Sequence, residues 1–86
     1  MGNAEELKIG YYQHSKSGKF YEVIGVARNS ENLDEEMVVY KALYNDLRFG
    51  QNALWVRPKK MFLENIVIEG KEVPRFKFFG DLPDKR

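Results

Sequence analysis

The sequence contains no cysteine, a single histidine and three prolines among its 86 residues. The lack of cysteine excludes disulfides, thiolate zinc sites and cysteine nucleophiles. No apolar run approaches the roughly 18 residues that a transmembrane helix needs. The acidic start of the chain has no basic or apolar signal-peptide region, and Glu6 stands where a myristoylation motif needs Ser or Thr. We therefore expect a soluble, cytoplasmic protein.

The sequence also lacks an excess of charge of either sign, because the formal net charge is only +1. A balance this close to neutral argues against a strongly basic nucleic-acid protein. The charge is unevenly spread, however. Residues 1–47 carry five basic and eight acidic side chains, whereas residues 48–86 carry nine basic and five acidic ones. The second half is therefore the part of the chain that would attract a nucleic acid.

Aromatic side chains are abundant, at 14% of the residues, and hydrophobic residues make up 43%. This composition is typical of a folded globular chain and not of a disordered one. At this length we expect one domain with one core. The predicted organisation is a flexible lead at residues 1–6, one domain at residues 7–79 and a polar tail at residues 80–86.

Short runs of β-branched and aromatic residues, separated by turn residues, predict strands along the domain. The predicted strands are residues 7–14, 20–29, 37–44 and 53–57, with two more within residues 62–79. Gly25 predicts a bulge or a sharp curl of its strand, Pro58 must end its strand, and Gly70 predicts a hairpin turn with positive φ. Five or six short strands in so short a domain predict an all-β fold, a small antiparallel barrel.

The segments between these strands are predicted as turns and loops. The acidic residues 30–37 predict a solvated loop. Residues 45–52, with Asn, Asp and Gly, predict a longer loop. Residues 59–61, after Pro58, predict a single 3₁₀ turn.

Four motifs together resemble a family of short bacterial proteins known as domain of unknown function 1653. They are Tyr12-x-His14-x-Lys16 followed by Gly18 and Tyr21; Val38 to Tyr44; Leu54 to Pro58 with Met61-Phe62; and Val73 to Phe76. The resemblance covers roughly residues 10–78, and the turn at residues 16–21 and the loop at residues 45–53 are longer than is usual in the family. It implies an SH3-like barrel. It carries no known activity and therefore supplies no catalytic residue.

The residue types give little support to catalysis. His14 is the only histidine, and no recognisable Ser-His-Asp order accompanies it. Metal-ligand spacings and glycine-rich phosphate loops are also lacking, so neither a metal nor a cofactor is expected. We expect His14 to end a strand and bond a neighbouring carbonyl. The enzymatic alternative places His14 at the centre of a site, with Arg57 or Arg75 as an anion clamp.

Tyrosine, tryptophan and arginine are the better candidates for a site, because they are enriched in binding hot spots. The candidate binding residues are Tyr12, His14, Tyr40, Tyr44, Trp55, Arg57 and Arg75. Trp55 and Arg57 share one face of a strand, and their neighbours Leu54 and Val56 share the other. If Leu54 and Val56 fill the core, the other two are exposed. Alternatively, Trp55 closes the core and Arg57 pairs with a carboxylate such as Glu64.

We therefore predict a non-catalytic binding module that recognises a protein or peptide through a Tyr/Trp/Arg surface. The alternative is binding of RNA or single-stranded DNA, in which Lys59, Lys60 and Lys77 attract phosphates and aromatic rings stack on bases. No membrane partner is expected. The sequence leaves the oligomeric state open, because an exposed edge strand is able to pair two copies.

Overall fold

The computed structural model describes residues 7–80 as ten elements in chain order. They are β1 (Gly10–His14), β2 (Phe20–Asn29), β3 (Asn32–Ala42), β4 (Asn45–Asp46), β5 (Gly50–Gln51), β6 (Leu54–Pro58), α1 (Lys59–Phe62), β7 (Asn65–Ile68), β8 (Lys71–Pro74) and β9 (Phe76–Gly80). The predicted lead at residues 1–6 and the tail beyond Gly80 lie outside the described residues. Within residues 7–80, no helix has the length and apolar character needed to cross a bilayer.

Five strands form one antiparallel sheet in the spatial order β6-β3-β2-β1-β9, and two hairpins, β4 with β5 and β7 with β8, lie outside it. The predicted all-β class is confirmed. The predicted barrel is not closed, because β6 and β9 remain the two edges of the sheet and do not pair with each other. The chain between these edges instead forms α1 and the β7–β8 hairpin. Phe62 of α1 reaches the core, so a helix, not a second layer of strands, covers this face.

β2 and β3 form the longest hairpin and carry the centre of the sheet. The register shifts between Val23 and Gly25, which leaves Ile24 as the extra residue of a bulge and confirms the bulge predicted at Gly25. The predicted acidic loop at residues 30–37 is wrong, since β3 begins at Asn32. A tight turn forms instead, because the side-chain oxygen of Asn29 accepts the N–H of Glu31 at 2.8 Å.

The chain after β6 differs from its prediction in two details. Pro58 ends β6 as expected, but residues 59–62 form one turn of α-helix and not a 3₁₀ turn. Residues 62–79 contain three strands and not two, because Arg75 separates β8 from β9. The predicted turn at Gly70 is confirmed. Glu69 and Gly70 have φ of 52° and 81°, as the two-residue turn of a β-hairpin requires.

The core lies on one face of the sheet, beneath α1. Its buried side chains are Tyr12, Val23, Val38, Tyr40, Phe62 and Phe76. The rings of Phe62 and Phe76 stack in parallel planes, with 4.1 Å between their centroids. Burying an aromatic side chain of this size contributes roughly 1.5–3 kcal/mol, so this stack fastens α1 to the sheet.

The opposite face of the sheet carries exposed apolar side chains. Ile24 of β2 is 50% exposed, and Leu54 and Val56 of β6 are 63% and 60% exposed. Single exposed apolar residues are ordinary in soluble proteins. Here two of the three belong to an edge strand, which places apolar side chains beside unpaired backbone.

Candidate functional site

Trp55 and Arg57 lie on the covered face of the sheet. β6 pairs with β3 so that Trp55 is opposite Tyr40, which is a core residue, and Trp55 itself packs against the core. The expectation that Leu54 and Val56 fill the core is wrong, because both are exposed, whereas Trp55 is partly buried against the core without belonging to its fully buried residues. Alternation along a strand defines which residues share a face. The position of α1, which the alternation does not encode, decides which face is covered.

Aromatic side chains surround Arg57 at the border of the core. We name this group the Arg57 cluster, and its members are Tyr21, Tyr40, Tyr44, Phe49, Trp55 and Arg57. Together with Asp46 and Arg48 they line an open pocket of about 260 Å³. Four segments contribute to it: β2, β3 with the residues after it, the β4–β5 hairpin and β6.

Tyr21 connects the phenol groups of the cluster. Its hydroxyl lies 2.9 Å from the hydroxyl of Tyr44, and its ring packs edge-on against Tyr40 with 5.4 Å between centroids. Burial, and then the hydrogen bond with Tyr44, raise the pKa of Tyr21 well above its ordinary value. The cluster therefore presents Tyr21 as a neutral hydroxyl at physiological pH.

Arg57 is half-buried, and its guanidinium bonds to a phenol. Its Nε donates to the hydroxyl oxygen of Tyr40 at 3.2 Å, and its Cζ lies 5.8 Å from the ring centroid of Phe76. Among residues 7–80, no carboxylate oxygen lies within 4.0 Å of this guanidinium. The partner suggested by the sequence, Glu64, instead pairs with Arg75 at 3.1 Å. Within the described residues, Arg57 thus keeps a positive charge that lacks an anionic partner.

Phe49 approaches the cluster from the β4–β5 hairpin. The carboxylate of Asp46 accepts the backbone N–H groups of Arg48 and Phe49 at 2.7 and 3.1 Å, which fixes the loop and lowers the pKa of Asp46. The Phe49 ring packs edge-on against Trp55 with 5.2 Å between centroids. The indole Nε1 of Trp55 is buried and has no hydrogen-bond partner in the described part of the chain.

His14 lies beside the cluster, with its ring edge-on to Phe76 at 4.9 Å. Its Nδ1 accepts the backbone N–H groups of Lys16 and Ser17 at 3.2 and 3.3 Å, where we expected a bond to a carbonyl. Because those donors occupy Nδ1, the neutral ring carries its proton on Nε2. Burial lowers the pKa of His14, and the positive charge of Arg57 lowers it further.

Arg75 makes hydrogen bonds that stabilise the fold, and it lies close to the Arg57 cluster. Its Nε donates to the backbone oxygen of Met61 at 3.0 Å, and its Nη2 donates to Glu64 at 3.1 Å. These bonds connect the residue between β8 and β9 to α1 and to the segment that follows α1. Arg75 and His14 line a separate pocket of about 380 Å³ beneath the β7–β8 hairpin, so they adjoin the Arg57 cluster without belonging to its pocket.

The remaining predicted site residues lie elsewhere. Tyr12 is buried in the core, and its hydroxyl donates to the backbone oxygen of Lys8 at 2.6 Å. Lys59 pairs with Glu36 at 3.1 Å and shares a pocket with Lys60, whereas Lys77 lines a third pocket. The structure therefore brings together Tyr40, Tyr44, Trp55 and Arg57, with His14 and Arg75 nearby, and separates Tyr12 and the three lysines from them.

Sequence reasoning missed Tyr21, Phe49 and Phe76 as neighbours of Arg57. Tyr21 had a usable signal, because it is two residues from Val23 and therefore shares its strand face. Phe49 had none, because it lies in a loop whose path the pattern does not predict.

Within residues 7–80, no group of three or more His, Asp or Glu side chains is placed to hold a metal ion.

Comparison with known proteins gives a family but no function. The model of the DUF1653 family, described as a protein of unknown function, matches residues 10–78. The chain is similar to the crystal structure of a DUF1653 protein from Bordetella bronchiseptica, with a TM-score of 0.79 and 28% sequence identity. That similarity covers 95% of this chain and 99% of the other. No curated protein matches the chain.

Proposed function

Because the chain belongs to the DUF1653 family, whose description gives no function, we propose its function from the geometry of the site. The protein is a non-catalytic module that binds a protein or peptide at the Arg57 cluster. The observation that carries this proposal is Arg57 itself, a half-buried guanidinium set among aromatic rings with no carboxylate partner in residues 7–80.

The composition of the cluster supports recognition of a polypeptide. Tyrosine, tryptophan and arginine are the residues most enriched in protein hot spots, where aromatic rings exclude water from a polar anchor. A guanidinium presents a rigid fork of donors that matches a carboxylate. Nε of Arg57 is already held by Tyr40, so its remaining donors are oriented before a ligand arrives. Such preorganisation reduces the entropy lost on binding.

Trp55 adds a second polar feature. The indole N–H of Trp55 is buried and bonds to no group of residues 7–80, so a carbonyl on a ligand is a suitable acceptor for it. Phe49, whose ring packs against Trp55, is itself exposed. A ligand that displaced Phe49 and offered a carbonyl to Trp55 would supply this acceptor. Peptide backbones supply such carbonyls.

The nucleic-acid alternative has less support from the geometry. Binding a phosphate backbone requires several cations along one track. Here Arg57, Lys59 and Lys77 line three different pockets, and Lys59 is already paired with Glu36. The catalytic alternative is also without a specific observation in its favour, because Nδ1 of His14 bonds to backbone amides and not to a hydroxyl or carboxylate.

Selection of displayed random peptides on the immobilised full chain tests the proposal. We expect enriched peptides that bind the wild type and the control Lys77→Ala equally and bind Arg57→Ala at least ~10-fold more weakly. Lys77 is a suitable control because it is basic and exposed but lies outside the cluster. A failure to enrich peptides, or peptides indifferent to Arg57→Ala, would reject the proposal. Tight, salt-sensitive binding of mixed-sequence RNA in the same assay would favour the nucleic-acid alternative instead.

A further inference from the structure

The outer edge of β6 carries backbone groups that no strand in residues 7–80 pairs with. The N–H of Ala42 donates to the oxygen of Ala53 at 2.8 Å, so these two residues form a hydrogen-bonded pair between β3 and the residue before β6. Residues of an antiparallel pair bond to their partner strand in alternation. Trp55 and Arg57 therefore direct their N–H and C=O groups to β3.

The intervening residues, Leu54 and Val56, direct theirs to the outside. No backbone bond from β6 to any other segment of residues 7–80 uses these groups. The edge ends at Pro58, which has no N–H to offer and so limits how far another strand is able to extend. β6 thus presents a short run of unpaired donors and acceptors bounded by a proline.

The side chains along this edge differ on its two faces. On the covered face stands Arg57, which lacks an anionic partner in the described residues. On the other face stand Leu54 and Val56, each more than half exposed. A strand laid beside β6 would meet a cation on one face and apolar side chains on the other.

We propose that the partner is an acidic peptide that adds to β6 as a further strand, bonded to the backbone of Leu54 and Val56, with a carboxylate side chain beside Arg57. This rests on the proposed function and specifies its ligand. In an antiparallel addition, the peptide residue opposite Arg57 lies in a pair that shares no backbone hydrogen bonds, where side chains approach most closely. The peptide residues opposite Val56 and Leu54, one and three positions further along, are apolar and pack on those two side chains. Strand addition of this kind draws affinity from the main chain and specificity from alternate side chains.

A second copy of the chain is a poorer occupant of the same edge. β6 contains no acidic residue, so pairing two β6 strands brings no carboxylate to Arg57. Symmetric antiparallel pairing about Val56 also places Pro58 of each copy opposite Leu54 of the other, and the two missing N–H groups remove two backbone bonds. A nucleic acid offers no alternation of N–H and C=O groups for this edge. An acidic peptide supplies backbone groups that pair with the edge of β6 and a carboxylate that pairs with Arg57.

Amide hydrogen exchange on the isotope-labelled full chain tests the mode of binding. The probe is the tightest peptide from the random-peptide selection, synthesised with its acidic residues and again with each Glu or Asp replaced by Gln or Asn. We expect exchange at Leu54 and Val56 to slow at least ~10-fold in the complex. Trp55 and Arg57 amides, already bonded to β3, serve as internal controls and change little. The amide-substituted peptide binds the wild type ~10-fold more weakly, and Arg57→Gln no longer distinguishes the two peptides.

Each contrary result has a separate meaning. If a selected peptide binds but leaves exchange at Leu54 and Val56 unchanged, strand addition is wrong while the proposed function stands. If the acidic and amide peptides bind alike, the role of Arg57 in choosing the ligand is wrong. Protection of the two amides that grows with protein concentration in the absence of peptide would make a second copy the occupant. If the selection yields no peptide, the proposed function itself fails.

Discussion

The Nε of Arg57 donates a hydrogen bond to the hydroxyl oxygen of Tyr40 at 3.2 Å. Both residues line the pocket of the cluster, but Tyr40 is only 5% exposed and belongs to the core, whereas Arg57 is half-buried. The two residues therefore connect the packing of the sheet to the cation that we assign to ligand binding. The orientation of Arg57 depends on a hydroxyl that the core holds in place.

Tyr40→Phe removes this hydroxyl and keeps the ring. We expect the free energy of unfolding to fall by about 1 kcal/mol, the usual net value of one such bond. Urea denaturation with an unchanged m-value measures it. The control is Tyr11→Phe on the other face of the sheet, which should change stability by less than about 0.5 kcal/mol. Equal effects of the two substitutions would show that the bond between Arg57 and Tyr40 does not contribute.

Phe62→Ala tests whether α1 is fastened to the sheet by a single aromatic side chain. Phe62 is fully buried, stacks on Phe76 and meets Tyr12 and Tyr40 edge-on, so its truncation leaves a cavity. We expect a loss of about 3–5 kcal/mol by urea or thermal denaturation. Met61→Ala, next in the helix but 41% exposed, is the matched control, with an expected change within about 0.5 kcal/mol. A loss below about 1 kcal/mol for Phe62→Ala would contradict the core described above.

Gly10→Ala tests the close approach of β1 and β9. Gly10 has φ of 142°, and a Cβ placed there would lie 2.8 Å from the backbone oxygen of Gly80. We expect destabilisation of about 1–3 kcal/mol. Gly25→Ala is the control, because no atom lies within 4 Å of a Cβ at that position. Its stability should be unchanged or slightly raised. Similar losses at both glycines would place the cause outside the contact between Gly10 and Gly80.

His14 gives the protein a pH dependence of known sign. Burial, and then the charges of Arg57 and Arg75, lower its pKa below the ordinary value of 6.5. Between that lowered pKa and 6.5, the unfolded chain binds more protons than the folded one. The contribution of His14 to stability is therefore present above pH 6.5 and is lost as the pH falls through this window. Urea denaturation at a series of pH values should show a smaller slope for His14→Gln than for the wild type, and identical slopes would contradict the assignment.

The local pattern of the sequence was sufficient for most of the strands. β2 matches the run from Phe20 to Asn29, where β-branched and aromatic residues favour extended backbone, and Pro58 ends β6 because it has no N–H. The acidic segment before Met37 was predicted as a loop because its charge suggested solvation. This segment is instead a strand, because a tight turn after Asn29 reverses the chain and lets the segment pair with β2, with Glu36 opposite Arg28.

The site was predictable only in part, for a physical reason. A period of two shows that Trp55 and Arg57 share a face, but the face that becomes covered depends on where α1 packs. That packing depends on Phe62 meeting Phe76, and the two residues are joined by a hairpin whose path the sequence does not encode locally. The pairing of Glu64 with Arg75 and not with Arg57 follows from the same path. Residue types thus predicted the members of a binding surface, and tertiary packing decided which of them meet.

Titration of isotope-labelled protein with a selected acidic peptide, followed by NMR, tests the binding site most directly. The chain has one tryptophan, so its indole N–H signal reports on Trp55 without ambiguity. We expect saturable shifts of that signal and of the Arg57 Nε–H, with little change at the exposed Lys60, and loss of saturation in Arg57→Gln. Saturable binding that leaves both signals unmoved would place the site elsewhere and contradict the assignment of the Arg57 cluster.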